Sequence, residues 1–252
     1  MLTIGFDALT IVLIAIAVGS YLKGAIGLGL PIIAIPTLAA FLGAQHAIVV
    51  ITLPTFFSNV WICWRYRKMR ANIPYIKVAL FSACLGTLAG SFILRELTDI
   101  ALLWLLIAWI GAYLLNMIFN PNFRLEGPAA KKVSPIFACI AGISQGATGI
   151  AGPVVATWIH SYRLEKELYV FGVSIMFLVI ATTHLVSVAS LGLLDYERLF
   201  QGTLAIIPTL AFTQIGMWTT RFMSPRIFNK LVIIFIIIME IKLLIEVSGK
   251  TF

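Results

Sequence analysis

Two glycine-rich stretches interrupt the apolar segments of this chain at equivalent places. The first, KGAIGLGLP, covers residues 23–31 within an apolar run from about Ala8 to Gly43, and the second, QGATGIAGP, covers residues 145–153. Both copies carry Gly at the second and fifth positions, Ala at the third and Pro at the ninth. Paired glycine-broken segments in the two halves of a hydrophobic chain are typical of the binding site in transporters built from repeats.

The composition is that of a membrane protein. The chain is 61% hydrophobic and 11% charged, with a mean hydropathy of +1.03, whereas soluble domains carry about 25% charged residues. The net charge of +8 is concentrated in short loops between apolar segments, which favours the positive-inside rule over nucleic-acid binding. The three cysteines lack metal-ligand spacing, so we expect neither a metal nor a cofactor. No cleavable signal peptide is expected, because the first apolar stretch belongs to the repeat.

The apolar segments predict an all-α polytopic membrane protein with the same plan in each half. The first hairpin combines helices over about 8–23 and 30–43, and the pattern leaves open whether it crosses the bilayer fully. The second hairpin, 135–160, has about 26 residues, too few for two crossings, and is therefore expected to be re-entrant. The segments expected to cross the membrane are 46–64, 78–94, 100–119, 168–192, 199–220 and 228–247.

The loop charges predict the orientation. The loop 65–77 carries five basic residues and no acidic one, so we expect it on the cytoplasmic side. The loops 95–99 and 193–198 then fall outside, 121–134 and 221–230 fall inside, and both termini are external. Equivalent loops lie on opposite sides, which predicts inverted repeats over 1–120 and 135–252 joined by a cytoplasmic linker over 121–134. We therefore expect a multi-pass protein of the inner (cytoplasmic) membrane.

The two glycine loops are the predicted binding site. Non-helical backbone is tolerated at membrane depth where it is buried or lines a wet cavity, and glycine allows positive φ and bare N–H groups. The half-helices that follow, starting near Pro31 and Pro153, favour an anion at their N-termini. We expect the two hairpin tips to meet near the midplane. Alternatively, the glycines only permit close helix packing. The predicted substrate-binding residues at the loops are Lys23, Gly24, Gly27, Gly29, Gln145, Gly146, Thr148 and Gly149.

Three polar residues at membrane depth add to this site. An intramembrane lysine costs at least about 2.5 kcal/mol, so Lys23 is predicted to be the counter-charge for an anionic substrate; alternatively it bonds the carbonyl ends of its own half-helix. Its counterpart Gln145 is neutral. Asn59 completes the predicted substrate-binding set. His184 is a candidate proton relay, although a neutral histidine bonding a helix carbonyl explains it equally well.

Several sequence features carry a family resemblance that covers nearly the whole chain. They are GAIGLGLP over 24–31 with Ile35-Pro36, the polar helix from Thr52 to Asn59 ending in Arg65-Tyr66-Arg67-Lys68, the segment with Gly86, Gly90 and Arg95, and their second-half counterparts. With these features the chain resembles the sulfite exporter TauE/SafE family, also called the toluene sulfonate uptake permease (TSUP) family. The resemblance implies transport of small sulfur-containing or carboxylate anions, such as sulfite or organosulfonates, driven by an ion or proton gradient.

We therefore predict a secondary transporter that moves a small sulfur-containing or organic anion by alternating access. The alternatives are a passive anion channel, a transporter of a small carboxylate, and a membrane anchor for a cytosolic partner. The expected partners are the anionic substrate and the lipid bilayer, without nucleic acid, and a homodimer is left open. The sequence contains no H-E-x-x-H, G-x-S-x-G or P-loop motif, so we expect no catalytic residues and no enzymatic activity.

Overall fold

The structure is a computed structural model that describes residues 6–27, 29–68, 76–119, 127–160 and 166–219, with residues 237, 240, 241, 243–245, 247 and 248. The helices of the described part are α1 Phe6–Ile26, α2 Leu30–Leu42, α3 Ala44–Arg65, α4 Ile76–Glu96, α5 Asp99–Phe119, α6 Gly127–Thr148, α7 Gly152–His160, α8 Lys166–Ser190 and α9 Tyr196–Thr219. Both termini, the loop 221–230 and most of the predicted segment 228–247 lie outside the described residues.

Long apolar helices dominate the described chain. Four have the length and composition to cross a membrane: Ala44–Arg65, Ile76–Glu96, Leu168–Ser190 and Tyr196–Thr219. They correspond to four of the predicted segments, and α5 corresponds to a fifth. No β-strand occurs among the described residues. For this part of the chain the predicted all-α membrane architecture is confirmed.

The helix α6 begins earlier than the sequence pattern suggested. It starts at Gly127 instead of near residue 135, and so includes part of the segment predicted as a polar linker. Pro128 fits in the first turn, where a missing N–H costs no helical hydrogen bond. Ser134, expected in a cytoplasmic loop, is instead fully buried, and its Oγ accepts a hydrogen bond from Trp158 Nε1 at 2.7 Å.

The two hairpins break at equivalent residues. Gly27 and Gly149, 122 residues apart, have φ values of 80° and 71°. Their N–H groups donate to the carbonyl oxygens of Lys23 and Gln145, each at 2.8 Å. Positive φ is strained for residues with a Cβ but not for glycine. Both helices therefore end within the predicted glycine stretches, although α1 continues to Ile26, past residue 23 where the sequence pattern ended it.

Two close helix crossings also repeat. Helix α4 packs against α6, and α9 packs against α1. A Cβ atom on Gly90 of α4 would collide with the carbonyl oxygen of Ile143, and one on Gly216 of α9 would collide with that of Tyr21. The two glycines are 126 residues apart and the two carbonyls 122 apart. The same backbone contact is therefore made twice, once in each pair of helices.

One end of the bundle is joined by hydrogen bonds between three turns. Gln45 at the start of α3 donates its backbone N–H to Asp99 Oδ1 at 2.9 Å and its side-chain nitrogen to the Leu94 carbonyl at 3.2 Å. Arg198 Nη2 donates to Gln45 Oε1 at 3.3 Å. These bonds bring the α2–α3, α4–α5 and α8–α9 turns together. The loop charges predict that two of these turns, α4–α5 and α8–α9, lie on the same side of the membrane.

Candidate functional site

The helices α3 and α8 pack against each other in the centre of the bundle and run antiparallel. In the first half of α3, Thr52 Oγ1 lies 3.4 Å from His184 Nδ1 in the last third of α8. Towards the other end of the contact, the ammonium of Lys23 of α1 lies over the ring of Phe177 of α8 and within electrostatic range of Cys63 of α3. Both ends of the α3–α8 contact therefore carry polar or charged side chains.

Helix geometry places Asn59 opposite Phe177. Asn59 follows Thr52 by seven positions, and Phe177 precedes His184 by seven. Seven positions are nearly two turns, so both residues stay on the faces where Thr52 and His184 meet, about 10 Å further along the helices. We call this buried contact the polar seam, defined by Thr52, Thr55, Asn59, Ser174, Phe177 and His184.

Many polar atoms of the seam lack a partner. Within the described residues, Thr55 Oγ1, Asn59 Oδ1, Ser174 Oγ and His184 Nε2 are buried and make no hydrogen bond. Buried polar atoms are nearly always paired with protein groups or ordered water, so water or a ligand would satisfy the atoms that lack a protein partner here. Gln145 Oε1 of α6 is also buried and unpartnered among these residues.

Lys23 brings a positively charged group to the seam. Its side chain is 1% exposed, and its ammonium lies 5.0 Å from the centroid of the Phe177 ring. Such a cation–π contact stabilises a desolvated ammonium. No carboxylate of the described residues lies within 4.0 Å of it, and in this part of the chain no hydrogen bond joins it to a helix carbonyl.

Two of the predicted binding glycines lie at helix crossings. Gly24 and Gly146 are helical, and a Cβ on either would collide with the carbonyl oxygen of Thr213 or Thr87, respectively. At these two positions the structure shows the close helix packing that the sequence left as an alternative.

The hairpin tips do not meet. Gly27 lies beside Val170, near the start of α8, whereas Gly149 lies beside Ile48, near the start of α3. These starts are at opposite ends of the antiparallel pair. Fourteen helical positions separate Val170 from His184, which lies towards the Ile48 end, so the tips are about 20 Å apart along the bundle.

The predicted meeting of the tips near the midplane is therefore wrong. The physical reason is the length of α1 and α6, which have 21 and 22 residues. Helices of this length extend for about 30 Å, so α1 and α6 carry the two tips to opposite ends of the bundle.

Two N–H groups of the second break, those of Gly149 and Ile150, are hydrogen-bonded within the break itself. Thr148 Oγ1 donates to the Ser144 carbonyl at 2.8 Å and accepts from the N–H of Ile150 at 3.3 Å. Ser144 Oγ donates to the Ile150 carbonyl. The Gly149 N–H also bonds within the break. In this structure the hydroxyl of Thr148 therefore stabilises the break itself. The first break ends at Gly29, whose φ of 133° is a conformation that glycine adopts more readily than other residues.

The structure thus brings Lys23, Asn59 and His184 to one polar seam, while Gly27 and Gly149 lie near its two ends. Sequence reasoning did not single out Thr55, Ser174 or Phe177. Ser174 follows Thr52 by 122 residues, so the repeat offset itself was a signal that could have identified it. Among the described residues, no group of three or more His, Cys, Asp or Glu side chains could hold a metal ion.

Comparison with known protein families identifies the family of this chain. Residues 11–243 match the model of the family described as sulfite exporter TauE/SafE. The chain belongs to this family. This TauE/SafE-family protein is therefore a multi-pass membrane protein of a transporter family, as the resemblance of its motifs predicted. No curated protein and no solved structure matches the chain.

Proposed function

We propose that this TauE/SafE-family protein is a secondary transporter of a small sulfur-containing or organic anion, such as sulfite or an organosulfonate. The observation that carries the proposal is the position of Lys23, a buried cation without a carboxylate partner among the described residues, beside buried polar atoms that lack hydrogen bonds. An anion would neutralise the ammonium and accept hydrogen bonds from the hydroxyls of Thr55 and Ser174. Intramembrane ionisable groups are retained where function needs them.

Alternating access is the proposed mechanism, with two inverted repeats over 1–120 and 135–252. Support comes from the equivalent helix breaks at Gly27 and Gly149 and from the repeated crossings at Gly90 and Gly216. Units related in this way can exchange conformations, opening the seam to each side in turn. The basic end of α3 would face the cytoplasm, by the positive-inside rule.

His184 is the proposed proton relay. It is fully buried, and within the described chain its Nε2 has no partner while its Nδ1 lies 3.4 Å from Thr52 Oγ1. In proteoliposomes, His184→Gln should preserve exchange of labelled anion for unlabelled anion but lose accumulation driven by a pH gradient. If both activities persist, His184 is not the relay.

The test of the anion site uses Lys23→Gln. In the purified protein, sulfite and simple organosulfonates should raise the unfolding temperature of the parent by selective binding. Loss of one charge-assisted contact should weaken the affinity roughly ten- to a hundredfold. The matched control is Lys132→Gln, which removes one charge from an exposed position of α6. An equal loss of anion affinity in both variants would contradict the assignment of the site to Lys23. In proteoliposomes, saturable counterflow would distinguish a transporter from a channel.

A further inference from the structure

The amide of Asn59 has an orientation that the structure fixes. Its side chain is fully buried, Nδ2 donates to the Thr55 carbonyl oxygen at 2.8 Å, and Oδ1 has no partner among the described residues. A carbonyl oxygen can only accept, so the atom that faces it must be the nitrogen. The unpartnered atom is therefore an oxygen, which can only accept a hydrogen bond.

This acceptor lies at the level of the positive charge. Helix geometry places Asn59 at the level of Phe177 in the polar seam, and the Phe177 ring contacts the ammonium of Lys23. Cys63, one turn after Asn59 on the same face of α3, lies within electrostatic range of Lys23. A ligand paired with Lys23 would therefore meet the Asn59 oxygen.

We propose that the transported anion carries a hydrogen-bond donor of its own, an O–H or N–H group next to its anionic group. The inference rests on the proposed function. An anion that offers only lone pairs would leave Asn59 Oδ1 unpaired or face it with a second acceptor, and both arrangements are costly in a buried site. A donor-bearing anion pairs its charge with Lys23 and its O–H or N–H with Asn59. The hydroxyls of Thr55 and Ser174 can donate to any anion and do not discriminate.

The test compares anions that differ by one hydroxyl group. Isethionate is ethanesulfonate with a hydroxyl on the second carbon, and glycolate is acetate with a hydroxyl; all four are monoanions at neutral pH. Titration calorimetry on the purified protein should show at least a tenfold tighter Kd for the hydroxyl-bearing member of a pair. A polar group left unpaired in a buried site costs enough to produce this ratio.

Two variants assign the preference to Asn59. Asn59→Leu removes the acceptor at similar volume and should bring the two members of a pair to within about threefold of each other, while ethanesulfonate still binds. Ser58→Ala is the matched control, because Ser58 is an equally buried residue whose Oγ is already bonded to the Thr55 carbonyl at 2.9 Å. It should keep the preference of the parent.

The outcomes separate the two proposals. Equal affinity of the parent for both members of each pair would overturn the inference and leave the anion site intact. A preference that persists in Asn59→Leu would overturn the role of Asn59. If no anion binds to the parent, both the inference and the proposed function fail. The first outcome is measured on the parent protein alone. The inference can therefore be tested even if Asn59→Leu folds poorly.

Discussion

The ammonium of Lys23 lies 5.0 Å from the centroid of the Phe177 ring, inside the helix bundle. The two residues come from α1 in the first half of the chain and α8 in the second. The negative face of an aromatic ring can hold a cation without neutralising it. The ring thereby stabilises the charge, which in the proposed site remains available to an anion.

The Lys23–Phe177 contact can be measured by a double-mutant cycle. Lys23→Met, Phe177→Leu and the double variant should give a coupling of about 0.5–2 kcal/mol in the stability of the anion-free protein. The measurement is unfolding in detergent, followed by loss of helical circular dichroism. Strictly additive effects of the two substitutions would mean that the contact contributes no stability.

The repeated crossings predict equal damage in the two halves. Gly90→Ala and Gly216→Ala should each destabilise the protein by about 1–3 kcal/mol, because the added methyl collides with backbone that cannot move freely. Gly111→Ala is the control: among the described residues, the one heavy atom within 4 Å of its Cβ position is Glu240 Oε1 at 3.4 Å. Alanine in a helix there should be neutral or slightly stabilising. Thermal unfolding of the three variants checks this, and a tolerated Gly216→Ala would contradict the equivalence.

Alanine substitutions at the two glycine breaks should respond differently to a second substitution, Ile35→Val. Gly27→Ala and Gly149→Ala both force alanine into positive φ, at about 1–2 kcal/mol each, and should lower transport. At Gly149 the new methyl also collides with Ile35 Cδ1, whereas at Gly27 the nearest atom of the described residues is 3.8 Å away. Ile35→Val removes Cδ1, so it should partly restore the stability of Gly149→Ala and leave that of Gly27→Ala unimproved. Identical responses would show that backbone strain alone sets the cost.

Topology can be tested by labelling single cysteines. On a background with Cys63, Cys84 and Cys139 replaced by alanine, cysteine at Thr98 or Asp195 should react with an impermeant maleimide from one side of the membrane. Cysteine at Lys68 or Lys132 should react from the other side. All four positions are exposed. Labelling of Asp195 and Lys68 from the same side would contradict the inverted-repeat arrangement.

The sequence by itself determined where the helices break and which class of protein they build. Gly27 and Gly149 end their helices because positive φ is a local property that only glycine adopts without strain. The bounds of α3, α4 and α5 follow the apolar segments closely, since a membrane helix is specified by the hydropathy and length of its own residues. The motif from Gly24 to Pro31 likewise indicated the family.

Only the tertiary structure decided which of these residues meet. The loop glycines looked like the binding site, yet the tips lie about 20 Å apart because α1 and α6 carry them across the bundle. The contact of Lys23 with Phe177 and the burial of Ser134 against Trp158 join residues of different helices. Such contacts depend on how helices pair and at what depth they cross. In a membrane those choices are made by small residues such as Gly90 and Gly216, through close packing between segments distant in sequence.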